Sequence, residues 1–264
     1  EFANGKSTYF VFHKAPGDGP KPTILYLPGM DQVKEDYPNP FSNEFTKRGL
    51  NICSMDGPGQ GECNINAVWQ DKNNYASASE KVIDWLISRN DVDPDKIGVF
   101  GTSMGSRWGI QVAAHDHRVK TVVGQMANVG TFDIIFEQAQ PNFKRIFMYM
   151  AGYTEEKEFD HFVERLDLLP DMAKKVKVPH LLVAGDMDEL CTPKDIEIFR
   201  TSLAGPSELW LYEGVFHPMG EVAAEIYPSI ADWLLETLNH GRASDYRKQI
   251  YVEEGTTLAD YDHG

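Results

Sequence analysis

A single serine flanked by two glycines is the first feature of the sequence that could carry covalent chemistry. Residues 100–109 read FGTSMGSRWG, in which Gly101, Ser103 and Gly105 have the spacing Gly-x-Ser-x-Gly. In this motif the serine sits on a sharp turn between a strand and a helix, where its hydroxyl can attack a carbonyl carbon. Because the chain contains 22 glycines, the spacing alone also fits an ordinary glycine-rich turn. The surrounding segments therefore have to decide between these interpretations.

A serine nucleophile needs a histidine base, and the base needs an acid that orients it. The chain order expected for this motif is serine, then acid, then histidine. His217, in GVFHPMG, follows the run ELWLYE, and three candidate acids follow the run HLLVAG: Asp186, Asp188 and Glu189. The pattern Gly-x-x-Asp favours Asp188 as the acid, with Asp186 holding the turn. Asp133 and Glu137 are more remote alternatives for the acid.

An oxyanion hole needs two backbone N–H groups directed at one point. The residue after the nucleophile, Met104, is the expected first donor. The second donor is expected in the loop after TILYLP, which reads GMDQ, and Met30 is the best candidate because Gly29 allows a tight turn there.

Short apolar runs alternate with longer amphipathic runs around these residues. Strands are predicted at Thr8–Phe12, Thr23–Leu27, Leu50–Met55 and Lys96–Gly101, and in VKTVVG, HLLVAG and ELWLYE. Helices are predicted over Pro40–Gly49 and in ASEKVIDWLISRN, MGSRWGIQVAAH, PKDIEIFRTSLAG and EVAAEIYPSIADWLLETLNH, where Pro228 should kink or interrupt the last helix. The alternation predicts an α/β fold with a mostly parallel, doubly wound sheet. It also places Ser103 between a strand and a helix, as a nucleophile requires.

One long segment interrupts this alternation and divides the chain into predicted units. Residues 1–124 and 179–240 form the predicted core, residues 125–178 a helical cap or lid inserted between strands, and residues 241–264 a tail that is frayed or docked on a partner chain. The insert is rich in aromatic residues, and an ordinary helical subdomain is the alternative to a lid. Predicted pocket residues are Phe132, Phe136, Phe147 and Glu137, with a solvated helix face as the alternative for Glu137.

Composition restricts the class of partner. The chain has 40 acidic and 25 basic residues and a net charge of −15, which disfavours nucleic acid and, weakly, a polyanionic substrate. The sequence has no long apolar run typical of a membrane span and no secretory signal. The three cysteines, Cys53, Cys63 and Cys191, are too few and too scattered for a disulfide framework. We therefore expect a cytoplasmic protein with a small-molecule substrate.

Several other residues have chemistry that the motif does not use. The pair His115 and His117 does not predict a metal site, because no third ligand lies at a suitable spacing. Asp56 is expected to tie down its own glycine-rich loop, and Cys191 to pack beneath the acid. Arg107, one turn after Ser103, is expected to be a surface or salt-bridged arginine, with contact to an anionic substrate as the alternative.

The stretch MDGPGQGEC, at Met55–Cys63, is the most specific marker in the chain. Together with LPGMDQVKED and GTSMG, it resembles the α/β-hydrolase-fold serine hydrolases over nearly the whole chain. The resemblance is to the subfamily of 2,6-dihydroxypseudooxynicotine hydrolase, the fungal polyketide-shortening hydrolases and the esterases grouped with the fermentation–respiration switch protein. It implies a helical cap, no metal or organic cofactor, and a triad of Ser103, Asp188 and His217. It also implies cleavage of an ester or of the carbon–carbon bond beside a ketone.

Members of that subfamily often carry an amino-terminal helical region and pair as dimers. This chain starts shortly before its Thr23–Leu27 strand, so we expect either a fragment or a chain without that region, and a homodimer. The function predicted is that of a cofactor-independent serine hydrolase acting on a hydrophobic, aromatic or polyketide-like small molecule. The alternatives are an acyltransferase using the same triad and a non-catalytic protein that binds a ligand.

Overall fold

An eight-stranded sheet forms the centre of the molecule. The computed structural model describes residues 5–72, 74–166 and 169–261. Residues 1–4 and 73 of the predicted core, 167–168 of the insert and 262–264 of the tail lie outside it. The strands are β1 (Tyr9–His13), β2 (Lys21–Leu27), β3 (Asn51–Asp56), β4 (Val92–Thr102), β5 (Val119–Gln125), β6 (His180–Gly185), β7 (Ser207–Tyr212) and β8 (Arg247–Val252). They are arranged in the order β1-β3-β2-β4-β5-β6-β7-β8. Only the β1–β3 pair among these neighbours is antiparallel.

Helices cover both faces of the sheet. They are α1 (Glu44–Lys47), α2 (Gly61–Ile65), α3 (Asn74–Ile87), α4 (Met104–His115), α5 (Pro141–Ala151), α6 (Glu156–Val163), α7 (Leu169–Ala173), α8 (Pro193–Ser202) and α9 (Ala223–His240). Side chains of successive strand residues point to opposite faces, so Val99 of β4 packs in the cluster with α3 and α4, whereas Phe100 packs with α1 and α9. The predicted α/β-hydrolase fold class is therefore confirmed. Every helix of the described part of the chain is too short or too polar to span a lipid bilayer.

Two predicted helices differ from the structure. Instead of spanning Pro40–Gly49, α1 covers only Glu44–Lys47, because the side chain of Asn43 accepts a hydrogen bond from the Thr46 backbone and caps the helix there. Helix α9 continues through Pro228. This proline lies in the second turn, where its missing N–H removes a single early hydrogen bond of the helix.

The predicted tail is corrected at residues 247–252, which form β8. This strand pairs in parallel with β7 along its whole length. Polar and apolar residues alternate along the second half of this strand. Ile250 and Val252 are buried beside Trp210 and Tyr212 of β7. The strand is half-buried because it lies at the edge of the sheet, which explains why its composition resembles a solvated tail.

The segment between β5 and β6 contains α5, α6, α7 and a π-helical turn at Ile134–Gln138. Many of its aromatic rings pack on one another, among them Phe132, Phe136, Phe147 and Phe159. These rings join the same apolar cluster as α3 and α4. Much of the aromatic content of this segment is therefore packing, and the rest lines a cavity beneath it.

Candidate active site

Ser103 occupies the turn between β4 and α4. Its backbone angles are φ 52° and ψ −121°. Residues other than glycine rarely adopt this conformation, which costs about 1–3 kcal/mol. Two hydrogen bonds hold it there: the Ser103 N–H donates to the carbonyl of Gln125 at 2.9 Å, and the Ser106 N–H donates to the carbonyl of Ser103 at 2.9 Å. A Cβ atom at Gly101 would lie 2.1 Å from the carbonyl oxygen of Gly105, so the turn excludes side chains there.

The structure brings Ser103, His217 and Asp188 into one hydrogen-bonded chain. His217 Nε2 lies 2.8 Å from Ser103 Oγ, and His217 Nδ1 lies 2.8 Å from Asp188 Oδ2. The other carboxylate oxygen of Asp188 accepts hydrogen bonds from the Leu190 and Cys191 backbones at 2.8 and 3.2 Å. The side chain of Asp188 is fully buried. Its orientation is therefore fixed on both sides, by the imidazole and by the backbone of its own loop.

The other candidate acids lie elsewhere. The carboxylate of Asp186 accepts hydrogen bonds from the Gly214 backbone at 2.7 Å and from the Tyr251 hydroxyl at 2.8 Å, and this contact raises the pKa of Tyr251 to about 12. Glu189 accepts a long bond, 3.4 Å, from the His217 backbone rather than from its ring. Glu137 forms an ion pair with Lys144. Asp133, in the same segment, is exposed.

The loop after β2 runs beside Ser103. A Cβ atom at Gly29 would lie 3.4 Å from Ser103 Cβ, and the Gly29 N–H donates to Gln32 Oε1 at 2.8 Å. Met30 and Met104, the predicted oxyanion donors, are both buried. Within the described ranges, neither of their backbone N–H groups has a hydrogen-bond acceptor.

Two polar side chains that the sequence analysis did not single out fix this loop. Gln60 Nε2 donates to the Gly29 carbonyl at 2.7 Å, while Gln60 Oε1 accepts from the Tyr75 hydroxyl at 2.9 Å. Lys34 forms a 2.9 Å ion pair with the fully buried Asp56. Asp56 thus binds the loop of Lys34 as well as its own loop, where it accepts from the Glu62 N–H. The sequence signal that could have identified these two residues is their position, because Lys34 lies in LPGMDQVKED and Gln60 in MDGPGQGEC.

A cavity of about 550 Å³ lies beneath the segment between β5 and β6. It is lined by carboxylates and by apolar side chains, which include Phe132, Phe136, Val163, Leu166, Leu169 and Phe199. Of the predicted pocket residues, Phe132, Phe136 and Glu137 line it. Phe147 does not: it is buried behind Phe136, with ring centroids 5.3 Å apart. Ser103 and His217 are not among the lining residues either, but Arg107 is, one helical turn after Ser103.

Arg107 is neither a surface residue nor a salt-bridged one, so that expectation was wrong. It is 4% exposed, and no carboxylate in the described ranges forms an ion pair with it. Its two terminal nitrogens donate to the Gly130 carbonyl at 3.2 and 2.7 Å, and its guanidinium carbon lies 4.0 Å from the centre of the Phe132 ring. Burial lowers the pKa of Arg107 to about 10, so the group remains charged at neutral pH.

The remaining candidates, His115 and Cys191, form contacts away from the nucleophile. His115 Nε2 lies 3.0 Å from Glu80 Oε2 at the surface, and Cys191 Sγ accepts a hydrogen bond from the Val129 N–H at 3.4 Å. Across residues 5–72, 74–166 and 169–261, no group of three or more histidine, cysteine, aspartate or glutamate side chains is arranged to hold a metal ion.

Comparison with known proteins relates the chain to a family. The model of the prolyl oligopeptidase family matches residues 44–241. The 2,6-dihydropseudooxynicotine hydrolase of Paenarthrobacter nicotinovorans is 24% identical over 229 residues, which cover 86% of this chain and 60% of that protein. Hydrolase LUC6 of a Fusarium species is 28% identical over 152 residues, which cover 56% of this chain and 36% of that protein. The chain thus spans less than two thirds of the length of these curated relatives.

The fold has a close counterpart among solved structures. The crystal structure of the 2,6-dihydroxy-pseudo-oxynicotine hydrolase superimposes with a TM-score of 0.80 at 20% identity, covering 91% of this chain and 68% of that one. At this identity the similarity concerns the fold. The family match and the curated relatives together confirm the resemblance that the motifs indicated.

Proposed function

The chain belongs to the prolyl oligopeptidase family, and on that premise we propose that it is a serine hydrolase that cleaves an acyl bond without a cofactor. The observation that carries the proposal is the unbroken chain of 2.8 Å contacts from Ser103 through His217 to Asp188. A serine on a strained turn, a histidine within hydrogen-bond reach and a buried carboxylate behind it are the parts that nucleophilic acyl transfer needs.

The proposed reaction begins when His217 Nε2 takes the proton of the Ser103 hydroxyl while Oγ forms a bond to the substrate carbonyl carbon. Asp188 keeps the Nδ1 proton of His217 in place and stabilises the imidazolium. The N–H groups of Met30 and Met104 donate to the oxygen that becomes negative. The bond to the leaving group then breaks, His217 returns the proton to that group, and an acyl-Ser103 ester remains. Water, deprotonated by His217, releases the acid.

The bond cleaved is proposed to be a carboxylic ester or the carbon–carbon bond beside a ketone. In the second case the leaving group departs as a carbanion, which must be delocalised as an enolate or a phenol ring before His217 protonates it. The aromatic lining beneath the segment between β5 and β6 supports a hydrophobic, aromatic or polyketide-like substrate. The names of the curated relatives also support hydrolysis of a small molecule.

The experiment that tests this proposal is covalent labelling with a fluorophosphonate, followed by mass spectrometry of the labelled peptide. We expect the label on Ser103, none on Ser103→Ala, and much slower labelling of His217→Ala. Ser88→Ala and His115→Ala, which change exposed residues away from the site, are the matched controls. A folded protein that takes no label, or takes it at another serine, would contradict the proposal and favour a binding protein.

Once labelling succeeds, the substrate class follows from turnover. Aryl esters and aromatic β-diketones would be compared, with an added alcohol or amine acceptor in parallel reactions. Hydrolysis of either class, with a burst of the first product, supports an acyl-enzyme mechanism. Transfer of the acyl group to the acceptor in preference to water would replace hydrolase by acyltransferase.

The cellular setting is a further part of the proposal. The three free cysteines, Cys53, Cys63 and Cys191, are all buried, which supports a reducing compartment such as the cytoplasm. A homodimer is proposed from the resemblance alone. Light scattering of the purified chain would measure its mass, and a monomer across the micromolar range would overturn the dimer.

A further inference from the structure

We infer that the cavity beside Arg107, here called the Arg107 cavity, binds a carboxylate group attached to an apolar body, and that this carboxylate belongs to the substrate of Ser103. The inference rests on the proposed function, because it names the chemical class of that enzyme's substrate. It goes further by assigning recognition of the charged group to one residue.

The state of Arg107 is the first argument. A guanidinium removed from water costs several kcal/mol unless an anion lies beside it, and buried charges in proteins are therefore normally paired. Here the guanidinium of Arg107 contacts the Gly130 carbonyl oxygen and the face of the Phe132 ring. Its buried Nε atom has no hydrogen-bond partner within the described ranges. A carboxylate in the cavity would supply the missing negative charge.

The walls of the cavity give the second argument, because they fit an apolar body. The rings of Phe132 and Phe136 are nearly parallel, with an interplanar angle of 6° and centroids 5.2 Å apart, so one wall is flat. Val163, Leu166 and Phe199 contribute aliphatic and aromatic surface on other sides. A ligand with a ring or short chain and one carboxylate would bury its apolar part here while its charge meets Arg107.

The carboxylates of the protein around the cavity restrict the charge of the ligand. Glu137 and Asp160 are shared by Lys144, at 2.8 and 2.7 Å, and Asp195 is bound to Thr192 in the cap of α8. Asp133 and Glu164 are exposed, so water and salt screen them more than they screen the buried guanidinium. This arrangement disfavours a polyanion and leaves a monoanion as the fitting ligand.

The position of Arg107 links the cavity to the nucleophile. Arg107 lies in the first turn of α4, and Ser103 is the residue that immediately precedes this helix. The intervening Ser106 hydroxyl donates to the Ser103 carbonyl at 2.6 Å. We infer that a spacer in the substrate connects the carboxylate on Arg107 to the carbonyl carbon that Ser103 attacks.

Binding tests this inference separately from turnover. Calorimetry on the Ser103→Ala chain would compare 3-phenylpropanoate with its neutral isostere 3-phenylpropanamide. We expect the carboxylate to bind at least about tenfold more tightly, since a hydrogen bond to a charged group contributes that much or more. Arg107→Gln should abolish the preference, whereas Arg145→Gln, which removes an exposed arginine of α5, should leave it unchanged. Equal binding of acid and amide, or loss in both variants, would overturn the inference.

Turnover by the intact chain gives the second readout. The probes are mono-4-nitrophenyl adipate and 4-nitrophenyl hexanoate, which differ mainly in a terminal carboxylate. Arg107→Gln should lower kcat/KM for the charged ester by at least about tenfold and change the neutral ester by less than about threefold. Cleavage of the neutral ester without an Arg107-dependent preference would sink the inference and leave the proposed function intact. Carboxylate binding without any cleavage would contradict the proposed function and the assignment of the carboxylate to a substrate, and would leave only a carboxylate-binding site at Arg107.

A second variant covers the case in which Arg107→Gln does not fold. Phe132→Glu would place a carboxylate beside the guanidinium, and Phe132→Gln is the matched neutral control. We expect Phe132→Glu to reduce 3-phenylpropanoate binding at least about tenfold more than Phe132→Gln does, because the new side chain competes for Arg107. Equal effects of the two variants would contradict a role for the Arg107 charge.

Discussion

The backbone of Gly105 packs on the carbonyl oxygen of Leu27 so closely that a Cβ atom at residue 105 would lie 2.0 Å from that oxygen. Leu27 is the last residue of β2, and the loop that follows it contains Gly29 and Met30. The first turn of α4 therefore rests directly on the strand end that leads into the proposed oxyanion loop. The distance between the nucleophile and that loop depends on the absence of a side chain at Gly105.

We predict that Gly105→Ala displaces the turn and lowers the free energy of unfolding by about 3 kcal/mol or more, because a backbone oxygen cannot move aside as a side chain can. Fluorophosphonate labelling of Ser103 should slow in parallel. Chemical denaturation and labelling rates measure the two effects. Gly220→Ala is the control, since a Cβ there meets no atom within 4 Å, and it should change stability by less than about 0.5 kcal/mol. Equal stability of the two variants would contradict the packing argument.

The second prediction separates the two aspartates that follow β6. Asp188→Asn should lower kcat for any cleaved ester by about 10³–10⁴-fold, because an amide favours the wrong tautomer of His217. Asp186→Asn should change kcat by less than about threefold, because Asp186 holds the Gly214 backbone and the Tyr251 hydroxyl rather than the imidazole. Steady-state kinetics on one aryl ester compares them. A large loss in Asp186→Asn with little loss in Asp188→Asn would reverse the assignment.

Local pattern was sufficient to predict most of the sheet and the order of the site residues. The strand HLLVAG was predicted with the bounds that the structure gives, and Ser103 lies between β4 and α4 as its motif required. Parallel strands end at one edge of a sheet, so residues that follow β4, β6 and β7 were expected to meet. The long-range contacts between Ser103, Asp188 and His217 follow from that topology.

Other features depended on tertiary contacts that no local pattern records. Arg107 is buried in the first turn of α4, where a surface or salt-bridged arginine was expected. It is buried because Phe132 and Gly130, from the segment between β5 and β6, pack against its guanidinium. Strand β8 has a polar edge-strand sequence and was assigned to a tail. Phe132 and Phe147 belong to the same aromatic cluster, but Phe132 lines the cavity and Phe147 does not. Helical spacing does not determine which ring of the cluster faces the cavity.

The third prediction concerns the buried ion pair of Lys34 and Asp56. Asp56→Asn removes the charge that accepts from Lys34 Nζ and from the Lys34 and Glu62 N–H groups, while Lys34 keeps its ion pairs with Glu35 and Glu62. It should therefore lower the free energy of unfolding by about 1–3 kcal/mol. Lys34→Met should cost a comparable amount, because the fully buried Asp56 then keeps only backbone donors. The double variant should cost clearly less than the sum, which chemical denaturation of all four chains measures. Additive costs would mean that the two residues stabilise their loops independently.

The fourth prediction is a pH dependence of stability that originates at His180. This side chain is fully buried against Phe199, neither ring nitrogen has a partner within the described ranges, and burial lowers the pKa of His180 from 6.5 to about 3. Between those values the unfolded chain binds a proton that the folded chain does not. The contribution of neutral His180 to the free energy of unfolding is therefore fully present above pH 6.5. It is lost progressively as the pH falls from 6.5 towards 3.

From pH 7 to pH 5, His180 should account for a loss of about 2 kcal/mol in the free energy of unfolding, since each pH unit in this range contributes about 1.4 kcal/mol. His180→Leu should remove that part of the slope and also stabilise the protein at pH 5, because it buries no unsatisfied ring nitrogen. Denaturation curves at both pH values, with the exposed His115→Leu as the control, measure the difference. If wild type and His180→Leu lose equal stability over this range, the folded and unfolded chains protonate His180 equally and its burial does not have the effect argued here.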